Sequence, residues 1–99
     1  MPTLQIDFQD GFQGDTIHIR LENHPEARFA NVHTDLRTNL ALRYEQTLPP
    51  GTYDLEVEIP TRQWNTHLSI DLDQDTYIRF FVRDGEIHYE SQHEPYFYL

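Results

Sequence analysis

At 99 residues, 37% of them apolar and 13% aromatic, the chain is expected to form one domain over residues 1–99, with a core built on large rings. Seventeen acidic against seven basic residues give a formal charge of −10, and protonating all six histidines leaves it negative, so nucleic acid and anionic membrane surfaces are not expected partners. Every basic residue is an arginine and there is no cysteine, which removes lysine nucleophiles, Schiff bases, disulfides and thiolate chemistry.

The first residues, MPTLQIDFQDG, lack a basic segment followed by an apolar run, and no apolar stretch approaches the roughly 20 residues of a membrane span. A cytoplasmic location is therefore expected. Leu4, Ile6 and Phe8 alternate with Gln5, Asp7 and Gln9, predicting a strand with three apolar residues inward and three polar ones outward, stopped at Asp10-Gly11. A second strand runs over 16–22 with Ile17, Ile19 and Leu21 inward, and Pro25, which has no ladder donor, ends it. Residues 28–32 read as an edge strand, 33–39 as a loop, and Leu40, Leu42 and Tyr44 as the inward side of the next strand.

Pro50 presets φ for position i+1 of a turn and Gly51 tolerates φ > 0 at i+2, so Pro49 to Thr52 is expected to be a type II turn. Tyr53, Leu55, Val57 and Ile59 then alternate with Asp54, Glu56 and Glu58, a strand with a solvated acidic face. Thr61 to Asn65 is expected to be a loop carrying Trp64. Leu68, Ile70 and Leu72 are read as one arm of a hairpin turning at Asp73 to Asp75, with Ile78, Phe80 and Val82 on the other arm. Asp84-Gly85 is a two-residue type I′ signal into a last strand at Ile87 and Tyr89. With turn signals about every 8 to 12 residues and no helical periodicity, the expected fold is all-β: a single antiparallel β-sandwich of about seven to eight strands, of Greek-key type.

The segment 33–59, HTDLRTNLALRYEQTLPPGTYDLEVEI, resembles the centre of carboxypeptidase-regulatory-like and transthyretin-like (prealbumin-like) sandwich domains. Thr34, Asp35, Leu40, Leu42, Leu48, Pro50, Gly51, Tyr53, Leu55 and Val57 occupy the matching positions. Where the family prefers Asp-x-x-Gly before the strand, Arg37-Thr38-Asn39 carries no glycine. The resemblance implies the sandwich fold and no activity, since fold does not fix function. The hydroxyisourate hydrolases of that structural neighbourhood end in Tyr-Arg-Gly-Ser, whereas this chain ends in Tyr96-Phe97-Tyr98-Leu99.

Asp71, Asp73 and Asp75 form a D-x-D-x-D run, but an EF-hand needs Gly at loop position 6 and Glu at position 12, and Thr76 and Val82 stand there. A looser ion site at that turn, or one at His88, Glu90 and His93, is the metal-binding alternative. Neither is strong enough to name a cofactor, because histidine spacing alone is weak evidence. His33, Thr34 and Asp35 are sequence neighbours, which is not how a triad is built, and Ser69 and Ser91 lie in no nucleophile elbow. No catalytic residues are assigned, and the chain is read as non-enzymatic.

The aromatics carry the functional expectation. Trp64, Tyr96, Phe97 and Tyr98 are the candidate binding residues: a patch for a protein partner or for self-association, or a stacking platform for sugar rings in a carbohydrate-binding accessory domain. Alternatively the tail folds back over Tyr77 and Phe81 and serves only to cover them.

Overall fold

The period-2 segments form eight strands in the computed structural model, which describes residues 1–96. They are β1 Thr3–Phe8, β2 Gln13–Leu21, β3 Ala27–His33, β4 Leu42–Thr47, β5 Gly51–Ile59, β6 Trp64–Leu72, β7 Thr76–Arg83 and β8 Glu86–Gln92. Two four-stranded sheets, β4-β1-β7-β8 and β3-β2-β5-β6, pack into an all-β sandwich. Their inner faces meet through buried Leu4, Ile6 and Phe8 of β1, Ile17 and Ile19 of β2, Leu55, Val57 and Ile59 of β5, and Phe80 of β7. The Phe8 and Phe80 rings stack 5.0 Å apart and Phe12 meets Phe8 edge-on, arrangements that suit the ring quadrupoles.

Three pairings depart from the sequence expectation. Neighbouring strands are antiparallel except β1 and β7, which run parallel from Leu4↔Thr76 to Phe8↔Phe80. β6 and β7 are not a hairpin: the turn at Asp73 to Asp75 carries the chain from one sheet to the other, and their apolar residues face each other across the core. Alternation dictates which face of a strand is apolar but leaves its backbone neighbour open, and β7 pairs with β1 and β8 instead. The strand expected from Leu40 begins at Leu42, because Leu40 forms only a single bridge to Asp35 that closes the 34–41 loop.

Two turns show why particular residues sit where they do. Gly11 has φ +87°, and a Cβ there would lie 2.6 Å from the Cβ of Val82, so the Asp10-Gly11 turn can press against β7 only without a side chain. Asp84 and Gly85, with φ of 54° and 77°, make the expected β7–β8 hairpin turn between paired Arg83 and Glu86. Gly51, by contrast, is outside the positive-φ region and opens β5 opposite Leu72, so the expected type II turn does not form. The corner is held by a side chain: the Tyr53 hydroxyl donates to the Pro49 carbonyl four residues back, the geometry of the tyrosine corner of β-sandwiches.

Candidate functional site

β6 and β8 are the edge strands of their respective sheets and lie along the same flank of the sandwich, while β3 and β4, joined by the 34–41 loop, form the opposite one. The flank is positioned from the end of the molecule where β6 begins. Pro60, Thr61 and Arg62 form a 3₁₀ turn, with Gln63 in a left-handed conformation donating its N–H to the Pro60 carbonyl. Arg62 fixes this turn to β2: its Nε and Nη2 donate to the buried Asp15 carboxylate, both at 3.0 Å, and Nη2 also reaches the Gly11 carbonyl. Burial pushes the Asp15 carboxyl up, but hydrogen bonds from Arg62, Thr61 and the Gln13 N–H outweigh it and hold Asp15 below the usual range.

Trp64 follows directly and is the first residue of β6, half-buried, with its ring edge-on to Phe80 at 6.0 Å. It is not on a loop, as the sequence reading placed it, because the short 3₁₀ turn uses up the expected loop. Thr66 and Leu68 continue the inward side of β6, both half-buried, whereas Ile70 and Leu72 are sealed. Facing them from β8 are Ile87, half-buried, and Tyr89, which is 44% exposed although its ring lies 5.5 Å from Phe80. The flank is thus unsealed. A cleft of 410 Å³ opens between Arg62 and Trp64 on one side and Gly85, Glu86 and Ile87 on the other. A smaller one of 170 Å³ lies further along, between β6 and Tyr89, Ser91 and His93.

The outer face of the β3-β2-β5-β6 sheet is a charge ladder. Arg20 of β2 donates to Glu56 at 2.7 Å and to Glu58 at 2.9 Å, both on β5, and pairs with Glu26 at 3.0 Å. His18 stands 3.2 Å from Glu58, and His67 of β6 stands 2.9 Å from Glu56. Glu56 and Glu58 on the acidic face of β5 are therefore half-covered and ion-paired, while Asp54 stays exposed. Hydrogen bonds from Arg20 hold Glu56 and Glu58 below the ordinary carboxylate range. Toward the β6 edge, Arg20 and Glu56 of the ladder join Glu22, Asp54, His67 and Ser69 in walling a groove of 520 Å³.

On the other sheet the outer face is sunken. Gln5, Asp7 and Gln9, expected to face water, are buried, so β1 is covered on both faces. Asp7 is 1% exposed and takes two hydrogen bonds from Arg43 of β4, Nε at 2.9 Å and Nη2 at 3.2 Å. Arg79 of β7, its other cross-strand neighbour, pairs with Glu90 and is capped by the Tyr96 ring 4.4 Å from its guanidinium. Tyr96 thus lies over the face that carries Arg79, between Tyr77 and Phe81 in β7. Burial pushes the Tyr96 hydroxyl pKa up.

Of the four residues proposed as a binding patch, Trp64 lies on the β6–β8 flank and Tyr96 lies on the outer face of the other sheet. Phe97 and Tyr98 lie outside the described residues. The reading missed Leu68, Ile87 and Tyr89 as flank residues. The signal for Ile87 and Tyr89 was available in IHYESQ, which is too polar at Ser91 to be the sealed side of a core strand.

The other candidates are occupied structurally. Asp75 accepts the Thr3 N–H and Asp71 the Thr52 hydroxyl, while His93 contacts the Asp75 carbonyl and His88 stacks on Phe81. Among the described residues no group of three or more His, Asp or Glu converges as metal ligands. The Thr34 hydroxyl donates to the Gln9 carbonyl and accepts the Phe12 N–H, and Asp35 is tied to Arg37, so neither they nor His33 form a relay. No family model, no curated protein and no solved structure matches the chain.

Proposed function

We propose that this chain is a non-enzymatic interaction module that contacts a protein partner through the flank between β6 and β8. The observation that carries this reading is Tyr89: a large ring on the inward side of an edge strand, packed on core Phe80 yet 44% exposed, beside half-buried Trp64, Leu68 and Ile87. An unsealed apolar seam between two strand edges that carry no partner strand among the described residues is the combination that association covers. The fold-level resemblance to carboxypeptidase-regulatory-like and transthyretin-like domains belongs to the same proposal and is supported at the level of the two packed four-stranded sheets.

The test places a photo-crosslinker at position 89 and, as the control, at Ala30 on the opposite flank. A defined adduct from 89 alone is expected, and a light-scattering mass of the pure protein tells a partner from a second copy. Equal adducts from both flanks would sink the reading.

Carbohydrate binding is the second reading, favoured by one feature, the 410 Å³ cleft that sets Arg62 and Glu86 beside the Trp64 indole. A glycan array with loss of signal in Trp64→Ala and recovery in Trp64→Phe would support it. Silence across the array removes it.

A further inference from the structure

We infer that the free edge of β6 receives an extended segment of a partner protein, cationic and apolar in alternation, as a fifth strand of the β3-β2-β5-β6 sheet. This rests on the flank reading above and specifies its occupant.

The four edges of the sandwich are not equivalent. β3 is irregular, with register shifts against β2 and a left-handed Asn31. β4 is only six residues long and presents Arg43 and Glu45. β8 presents Glu86, His88 and Glu90. Bulges, brevity and charge are the devices by which edges repel a further strand. β6 is neither short nor bulged, and it carries fewer fixed charges than β4 or β8. It pairs with β5 in unbroken register from Ile59↔Trp64 to Gly51↔Leu72, over nine residues, without proline or bulge. Its outward side chains are Asn65, His67, Ser69 and Asp71, a single fixed charge. Among the described residues, its backbone groups on the free side bond to no other segment. A strand added there continues the ladder with bonds that need no particular sequence.

Side-chain positions supply the specificity. Residues of an added strand that point inward, about 6.8 Å apart at every second position, enter the seam over Trp64 and Leu68 and against Tyr89, so they are apolar. Those that point outward run beside Ser69, whose small side chain leaves open the groove where Glu22 and Asp54 lie beside the ion-paired Arg20, Glu56 and His67. Asp54 is the cross-strand partner of Ser69, and its N–H is held by the Glu22 carboxylate, which keeps two acidic groups together. From a residue opposite Ser69, two strand spacings of about 4.8 Å separate the added backbone from Asp54, within reach of an arginine or lysine. Arg20 cannot serve these acids, because Glu26, Glu56 and Glu58 already engage it. A second copy of this chain is a poor occupant, since each copy carries −10.

The probe is an acetylated, amidated nine-residue peptide alternating valine and arginine, compared with a valine–glutamate version and with the valine–arginine peptide N-methylated at every second residue. Trp64 is the sole tryptophan, so its emission reports the seam, while amide exchange over 64–72 reports the ladder. The expected result is an emission change and slowed exchange in β6 with valine–arginine. Affinity should fall at least about tenfold on N-methylation, as loss of ladder bonds requires. Asp54→Lys should weaken binding about threefold to fivefold at low salt, and Asp73→Lys, away from the groove, should leave it unchanged.

Equal affinity of the methylated or glutamate peptide, equal effects of the two lysine variants, or protection confined to β8 would overturn the inference. So would a doubled mass with protected β6 amides when no peptide is present. Crosslinking from position 89 in a protein whose β6 stays unprotected by the peptide removes the extended cationic segment while leaving the flank an interaction surface.

Discussion

The two outer faces of the sandwich carry the same kind of side chains and do opposite things with them. On the β3-β2-β5-β6 sheet, Arg20 gathers Glu26, Glu56 and Glu58 at the surface, where water still solvates every group. On the β4-β1-β7-β8 sheet, the row Arg43, Asp7, Arg79, Glu90 crosses all four strands, but its acid on β1 is sealed and an aromatic ring lies on Arg79. Depth, not charge count, decides what each row contributes. Exposed ion pairs are worth little because water competes for both partners, whereas a buried acid that loses its partner keeps the full desolvation cost.

Breaking the sunken row should give the largest effect. Arg43→Ala leaves the Asp7 carboxylate short of two hydrogen bonds and should destabilise by about 3 kcal/mol, discounted from a fully buried pair because Arg43 is itself half-exposed. The double variant Asp7→Leu/Arg43→Met should recover most of that loss in denaturant unfolding. If Asp7→Leu alone costs as much as Arg43→Ala and the double recovers nothing, the row is not a coupled unit.

Tyr96→Ala, which uncovers Arg79, should cost about 1–2 kcal/mol through lost ring area and cation–π contact. Arg20→Ala on the open face should be smaller still. Its effect should shrink at about 1 M salt, where the Debye length falls to about 3 Å, while the Arg43→Ala effect should persist.

Solution pH acts on two further sets of groups. Glu56, Glu58 and Asp15 have carboxyl pKa values lowered in the folded protein, so the unfolded chain binds more protons as pH drops below the ordinary carboxylate range. The stability they contribute is fully present at neutral pH and lost on acidification, and Glu56→Gln/Glu58→Gln should flatten part of that slope. Tyr44 and Tyr96, whose hydroxyl pKa values burial raises, act at the other end. Above about pH 10 the unfolded chain ionises first, and stability should fall with rising pH. Tyr44→Phe should reduce that alkaline loss; an unchanged alkaline limb would remove Tyr44 from this account.

The sequence made most strands legible because their segments alternate cleanly, as Ile17, Ile19 and Leu21 do in β2, whereas 28–32 is less regular and reads only as an edge. It did not reveal which polar side was buried. Gln5, Asp7 and Gln9 have the same alternation as Asp54, Glu56 and Glu58, and the difference arises from Arg43, Arg79 and Tyr96 converging from distant segments. Pairing was hidden for a related reason: Asp73 to Asp75 is as good a hairpin turn as a crossover between sheets. At the candidate site, Trp64 stood out as the only tryptophan, but its setting depended on Asp15 capturing Arg62 almost fifty positions later, a contact no local pattern encodes. Tyr89 was read only as a strand residue, since exposure on an inward face follows from β8 being an edge.

The parallel pairing of β1 with β7 also bears on how the molecule is made. β1 is an interior strand of its sheet, yet Leu4, Ile6 and Phe8 find one of their two neighbours only when Thr76 to Phe80 is available. Contacts so distant along the chain place this domain among slow folders, on the millisecond to second scale for sandwiches. During synthesis the apolar first strand therefore emerges early and is completed late, and that interval is when aggregation competes most strongly with folding.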